Sequence, residues 1–170
     1  MAELKKNKRA LDSQRKIYKS LRKLLLTKPL IDISITDIER ESHVSRSTFY
    51  RNFNNVTEVL EVMLDYFYKR YLDNKKGKED QLLFFFEYWD RHKDLIYIVS
   101  HQSSNLLKEI MKRYENKEED PFLLDIKCSL MTSLLSVWVE SKDKLTPQDM
   151  VDKTSELLQY LSSSNFKINK

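Results

Sequence analysis

Glycine, proline and cysteine are scarce in this chain of 170 residues, which contains one glycine, three prolines and one cysteine. Sandwiches, barrels and nucleotide-binding folds with glycine-rich loops need many turns or glycines, so the composition argues against them. It is typical of long helices joined by short polar connections. Apolar residues make up 41% of the chain and charged residues 33%, which is the balance of a globular protein rather than a disordered one.

Because Cys128 is the only cysteine, no disulfide can form within the chain, and a reducing compartment is favoured. No apolar stretch follows the basic N-terminus, so no signal peptide is indicated. The longest uncharged apolar run, residues 128–139, is too short to span a bilayer. We therefore expect a soluble cytoplasmic protein that has no membrane partner.

Positive charge is concentrated at one end of the chain. Residues 1–60 contain 13 lysines and arginines against 7 aspartates and glutamates, whereas residues 61–170 contain 17 against 19. A basic first third on a mildly acidic remainder indicates a surface that binds a polyanion. The alternative is a solvated lysine-rich tail, which the charge alone does not exclude.

Helical periodicity runs through the chain, without a strand pattern or an internal repeat. Capping signals predict helix starts at Ser34, Ser45, Asn55, Asp120 and Thr146. The polar stretch at residues 73–80, which holds the only glycine, is the clearest boundary. We predict an all-α protein of about nine helices.

Two short helices are predicted close together in the basic third. The first ends near Ser42 and the second begins at Ser45, so the connection has three or four residues. This is the geometry of a helix-turn-helix motif, whose second helix enters the major groove of DNA with its N-terminal residues leading. Here those residues are Ser45, Arg46, Ser47 and Thr48. The alternative is an ordinary helical hairpin in an all-α core.

Two segments carry a resemblance to a known family: Ser34-Ile-Thr-Asp-Ile38, and His43-Val-Ser-Arg-Ser-Thr-Phe-Tyr-Arg-Asn-Phe53. Together they resemble the DNA-binding domain of the TetR (tetracycline-repressor-like) regulators. The resemblance extends over about residues 13–71, and the later helices match in pattern only. It implies an N-terminal three-helix helix-turn-helix domain over residues 1–56. A helical regulatory and dimerisation domain would follow over residues 57–170, with the fourth helix connecting the two.

The resemblance implies roles for single residues. Val44 would pack between the two helices, Ser45 would cap the recognition helix, and Tyr50 would touch the DNA backbone with Arg51 beside it. A basic arm at the N-terminus, including Lys5 and Lys6, would reach a neighbouring groove, unless it is only a solvated tail. The residues expected to contact DNA are Ser34, Thr36, Ser45, Arg46, Ser47, Thr48, Tyr50, Arg51, Lys8 and Arg9.

Four positions depart from the family pattern. His43 replaces the usual turn glycine, at a position that often needs a positive φ, which histidine adopts less readily than glycine. Glu39 and Ser42 replace small alanines, so the local packing is expected to differ. Val56 stands where the family often has a phosphate-binding lysine, so one DNA anchor is expected to be missing.

An aromatic cluster after the boundary could line an effector pocket, although core packing is the favoured interpretation of any single residue. The candidate pocket residues are Phe85, Trp89, Tyr97 and His101.

The apolar run at residues 128–139 is apolar almost all round, so both of its sides should be covered. With the last helix it would form half of a four-helix bundle with a second subunit, and the resemblance also places the dimer interface there. The alternative is the central helix of a monomer. The candidate interface residues are Leu130, Leu134, Trp138, Leu157, Leu158 and Leu161.

The three histidines and the cysteine show no metal-ligand spacing, and no arrangement for nucleophilic catalysis is present in the sequence. We therefore expect no metal, no cofactor and no enzymatic activity. The predicted function is a homodimeric repressor that binds double-stranded DNA at a pseudo-palindromic operator and is released by a small-molecule effector. The alternative is a co-activator or adaptor that keeps the fold but acts through a partner protein.

Overall fold

The computed structural model describes residues 8–103, 105–115 and 119–163, and the chain has no strand over these ranges. It contains nine α-helices there, with a short 3₁₀ turn (Leu30–Asp32) between the first two, which confirms the all-α prediction. The helices are α1 (Lys8–Leu25), α2 (Ile35–Ser42), α3 (Arg46–Tyr50), α4 (Val56–Lys75), α5 (Gln81–Asp90), α6 (Lys93–Gln102), α7 (Leu106–Tyr114), α8 (Pro121–Glu140) and α9 (Pro147–Ser162).

Local capping chemistry determines where several helices begin. Ser34 and Thr146 each form a complete capping box with the acidic residue three positions later. Asp120 caps α8, whose first residue is a proline. Helix α3 has only five residues and ends at Tyr50.

Two compact units make up the chain, and they do not follow the predicted division at residue 56. The first unit combines Met1–Arg70 with Ile98–Tyr114, and the second combines Tyr71–Tyr97 with Glu115–Lys170. Helices α4 and α6 therefore each contribute residues to both units. Which part binds DNA and which part regulates it stays a prediction, because compactness tests neither role.

In the first unit, α1 packs against α2 and α3. The buried side chains on these helices include Ile17, Leu21, Ile38 and Phe49. Phe53 follows α3 and is also buried, with its ring 5.6 Å from that of Tyr18. This core leaves the opposite side of the helix-turn-helix segment exposed.

The second unit has an aromatic core. The ring of Tyr71 lies within 6 Å of the rings of Phe84, Phe85 and Tyr88. Helix α5 also packs against α9. Trp138 of α8 is buried, and its indole Nε1 donates to the carbonyl of Leu145 at 3.0 Å.

Helix α8 has two apolar faces. Cys128, Leu135 and Trp138 are buried on one face, whereas Phe122 and Val137, on the opposite face, are 71% and 66% exposed. Among the described residues, α8 is the one helix that is long and apolar enough to cross a membrane by length and composition. The run at residues 128–139 was expected to be too short for this, and the whole helix of 20 residues is longer than that run.

Candidate nucleic-acid interface

The turn between α2 and α3 is built without glycine. His43 has φ 56° and ψ 26°, the left-handed conformation, which confirms that this position needs a positive φ. Its backbone N–H donates to the carbonyl of Glu39 at 2.9 Å and closes the end of α2. The His43 side chain is exposed, so the substitution for glycine adds backbone strain and no steric clash in the core.

Hydroxyl groups stabilise the rest of this turn. The Ser42 hydroxyl accepts a hydrogen bond from the N–H of Val44 at 3.1 Å, and both side chains are buried. Ser45 caps α3: its Oγ accepts from the N–H of Thr48 at 3.4 Å and donates to Thr48 Oγ1 at 3.0 Å. Ser42, which replaces an expected alanine, therefore satisfies a backbone donor that would otherwise be buried without a partner.

The Glu39 side chain also contacts α3. Its Oε1 accepts a hydrogen bond from the backbone N–H of Arg46, the first residue of α3, at 3.2 Å. The sequence indicated only that Glu39 departs from a small alanine. A carboxylate where a small residue is expected was the available signal for this contact.

The exposed side of α3 presents two guanidinium groups. Arg46, Ser47, Tyr50 and Arg51 are exposed, and Thr48 is half-buried. The Arg46 guanidinium lies 5.7 Å from the centre of the Tyr50 ring, with Nη2 at 3.5 Å from the phenol oxygen. Arg51 Nη2 donates to Thr48 Oγ1 at 2.7 Å. The predicted DNA-contacting residues of α3 and its caps are thus brought together on one surface.

At the start of α2, Ser34 and Thr36 are exposed, as a contact with phosphate requires. The Asp37 carboxylate accepts hydrogen bonds from the N–H and hydroxyl of Ser34, and Lys28 Nζ lies 2.8 Å from it. Together these interactions hold the pKa of Asp37 well below its usual range, and the interaction with Lys28 contributes most. Lys28, which the sequence did not single out, thus neutralises a carboxylate beside the predicted phosphate contacts.

The remaining predicted DNA contacts lie elsewhere. Lys8 and Arg9 are exposed in the first turn of α1 rather than in an extended arm, and Lys5 and Lys6 lie outside the described residues. Val56 is half-buried as the first residue of α4. That a DNA anchor is missing here stays a prediction.

The candidate effector residues are divided between the two compact units. Phe85 and Trp89 are buried in the core of the second unit, Tyr97 is exposed on that unit, and His101 is exposed on the first unit. Trp89 Nε1 is buried and has no hydrogen-bond acceptor among the described residues, and this is the one feature that favours a ligand there.

A cavity of about 460 Å³ lies in the first unit instead. Its lining is largely polar and includes none of the candidate effector residues. The lining residues are Asn54, Asn55, Thr57, Glu58, Glu61, Val62, Asp65 and Arg113.

The candidate dimer residues differ in exposure. Leu158 and Leu161 are 51% and 44% exposed, whereas Trp138 is buried within its own unit and so is not on an exposed face. Leu130, Leu134 and Leu157 are half-buried. Several other exposed apolar residues were not among the candidates. The signal that could have found those on α8 is their spacing, because most of them lie four residues apart in line with Leu130 and Leu134. The missed residues are Phe122, Leu123, Ile126, Val137 and Tyr160.

The left-handed turn supports a stability prediction. His43→Gly is expected to raise the free energy of unfolding by roughly 0.5–1 kcal/mol. Glycine adopts a positive φ without the steric cost that histidine has, and its larger loss of conformational entropy on folding offsets only part of this gain. His43→Val is the control and should lower it, since a β-branched residue adopts this conformation poorly. Urea unfolding measures both variants. If His43→Gly and His43→Val destabilised the protein equally, the backbone at residue 43 would not be strained.

No metal centre is apparent: the described ranges contain no group of three or more His, Cys, Asp or Glu side chains that could hold a metal ion.

Comparison with known proteins identifies the fold. No family model matches the chain, and no curated protein matches it. The solved structure of Lin0861 from Listeria innocua is similar, with a TM-score of 0.80 and 19% identity over 94% of this chain and 96% of that one. A TetR transcriptional regulator from Streptococcus agalactiae 2603V has a TM-score of 0.64 and 20% identity over 88% of this chain and 95% of that one. At these identities the likeness concerns the fold, and the chain has a TetR-like fold.

Proposed function

We propose that this protein is a DNA-binding transcriptional regulator that acts as a homodimeric repressor. The observation that carries the proposal is the exposed surface of α3, where Arg46, Ser47, Tyr50 and Arg51 stand on a short helix held by a tight turn. Guanidinium and hydroxyl groups at the start of such a helix suit contacts with base edges and phosphates. The likeness in fold to a TetR transcriptional regulator supports the same function.

The charge distribution agrees with this proposal. Residues 1–60 carry an excess of positive charge, and polyanion binding depends on such an excess. Lys28 neutralises Asp37, and the exposed Lys8 and Arg9 add cations at the start of α1. Lys8 and Arg9 would give affinity for any DNA, Lys28 removes a repulsive charge, and Arg46 is our candidate for reading sequence.

Dimerisation is the second part of the proposal. A single short recognition helix reads few base pairs, whereas a dimer reads paired half-sites one helical turn apart. The apolar face of α8 and the end of α9 each leave apolar side chains exposed, and we propose that both pair with the same elements of a second subunit. Trp138 would support this surface from beneath.

Effector control is the third part of the proposal. Its structural support is the unpaired indole N–H of Trp89. The surrounding aromatic residues are packed against one another, so a ligand would have to open this core. Repression itself would follow from occlusion of a promoter by the bound dimer.

Arg46→Ala tests the proposed function. We expect the wild-type protein to select a sequence from a pool of random duplexes and to bind it more weakly as salt is raised. If Arg46 reads a base, the variant loses about 1–3 kcal/mol of discrimination between the selected and a scrambled duplex. Fluorescence anisotropy at two salt concentrations measures this loss.

Arg91→Ala is the matched control, because it removes the same charge from an exposed position in the other compact unit. A loss by Arg46→Ala that is equal on both duplexes would reassign Arg46 to phosphate binding. Absence of salt-sensitive binding by the wild-type protein would overturn the proposed function. A stable complex with a partner protein in that case would support the adaptor alternative.

A further inference from the structure

Glu39 contacts both ends of the turn between α2 and α3. Its backbone carbonyl accepts the N–H of His43 at 2.9 Å, where α2 ends, and its carboxylate accepts the N–H of Arg46 at 3.2 Å, where α3 begins. Glu39 is half-buried as a residue, whereas its bond to the Arg46 N–H lies at the surface. One residue therefore joins the last turn of α2 to the first residue of α3.

Helix α3 needs such contacts because it is only five residues long. A helix of this length is not stable by itself and depends on capping and packing. The Ser45 hydroxyl satisfies the N–H of Thr48 at the third helical position, and Glu39 satisfies the first, that of Arg46. A carboxylate at a helix N-terminus also interacts favourably with the helix dipole.

The same carboxylate has an opposite effect on DNA. It places a negative charge beside the residues proposed to meet phosphates, and it engages an amide that could otherwise donate to a phosphate. Glu39 would therefore lower DNA affinity if its charge were its only effect. Its carboxylate also contacts α3 through the Arg46 N–H, so its charge is not its only effect.

We propose that Glu39 is a positioning residue for DNA recognition: its carboxylate fixes the orientation of α3, and thereby of Arg46, relative to α2. This inference rests on the proposed function. It assigns a role to a position at which the resembled family has a small alanine. A charge beside the DNA-binding surface thus serves discrimination even though it repels the DNA backbone.

Glu39→Ala should reduce the ratio of affinities for the selected and scrambled duplexes about fivefold, the size of a lost helix cap. Glu39→Gln keeps an acceptor for the Arg46 N–H and should retain most of that ratio. Glu41→Ala is the control, because it removes the same charge from the same helix, where Glu41 pairs with Lys23. Pure charge repulsion would instead make Glu39→Ala and Glu39→Gln bind DNA more tightly, and that outcome would overturn the proposal.

A readout on the protein without DNA separates this inference from the proposed function. Hydrogen exchange at the Arg46 amide, followed by NMR, should become faster in Glu39→Ala and stay unchanged in Glu41→Ala. If the wild-type protein fails to bind DNA, the proposed function fails, and the amide result still decides whether Glu39 holds α3. Unchanged exchange in Glu39→Ala would overturn the proposal whether or not the protein binds DNA.

Discussion

Replacing Phe49 with alanine is expected to lower the free energy of unfolding of the protein by about 3–5 kcal/mol. Phe49 is the one side chain of α3 that is fully buried, with 1% of its surface exposed. Its ring lies 5.9 Å from that of Phe53. The free energy of unfolding of a small domain is only about 5–15 kcal/mol, so the cavity left by Phe49→Ala would remove a large part of it.

The loss of stability should affect the helix-turn-helix segment first. Without Phe49, α3 keeps its caps at Glu39 and Ser45 but has no large side chain that anchors it to α1 and α2. Urea unfolding followed by circular dichroism measures the stability. Phe49→Leu is the control and should cost less than about 1.5 kcal/mol, since it leaves a smaller cavity. If the free energy of unfolding of Phe49→Ala lay within about 1 kcal/mol of the wild-type value, Phe49 would not anchor α3.

Features that depend on neighbours in sequence were predictable. The capping boxes of Ser34 with Asp37 and of Thr146 with Asp149 each involve residues three positions apart, and both are present in the structure. The positive φ of His43 followed from the short connection between two helices and from the family resemblance. Each of these interactions is complete within a single turn.

Features that depend on distant parts of the chain were not predictable. The backbone N–H of Leu30 donates to Oε1 of Gln102 at 2.8 Å, although 72 residues separate them, and nothing local to either residue indicates the other. The grouping of Ile98–Tyr114 with the N-terminal helices has the same origin. Such contacts arise from tertiary packing, which hydrophobic periodicity constrains only weakly.

The exposed side of α3 lies between these two cases. The sequence indicated Arg46 through the helix-turn-helix motif and Tyr50 through the family resemblance, and both side chains are exposed on α3. It missed the bond from the Arg46 N–H to Glu39, since a carboxylate seven residues earlier reaches that amide only through the geometry of the turn. The residues proposed to contact DNA were thus easier to predict than the residue proposed to position them.

The largest effect on assembly is expected from Val137→Glu. Val137 is 66% exposed on the apolar face of α8 that also carries Phe122 and Ile126. If a second subunit covers this face, the new carboxylate would be buried in an apolar interface without a partner, which costs several kcal/mol. The dimer dissociation constant should therefore rise more than 100-fold, since each factor of ten corresponds to about 1.4 kcal/mol.

Analytical ultracentrifugation of the wild-type and Val137→Glu proteins measures this shift. The substitution should leave the fold intact, because Val137 lies opposite the buried face formed by Cys128, Leu135 and Trp138. Ile31→Glu is the matched control: it places the same charge on an aliphatic residue that is 92% exposed in the other compact unit, and it should stay dimeric.

The dimer prediction also distinguishes the two partners that could cover α8. A wild-type protein that is monomeric and floats with lipid vesicles would assign the apolar face to a membrane, which the length and composition of α8 allow. A wild-type dimer that Val137→Glu dissociates would assign the face to a second subunit. In that case the variant should also lose most of its affinity for paired half-sites, because each monomer carries a single copy of the proposed recognition helix, α3. An unchanged dissociation constant in Val137→Glu would place the dimer interface on another surface.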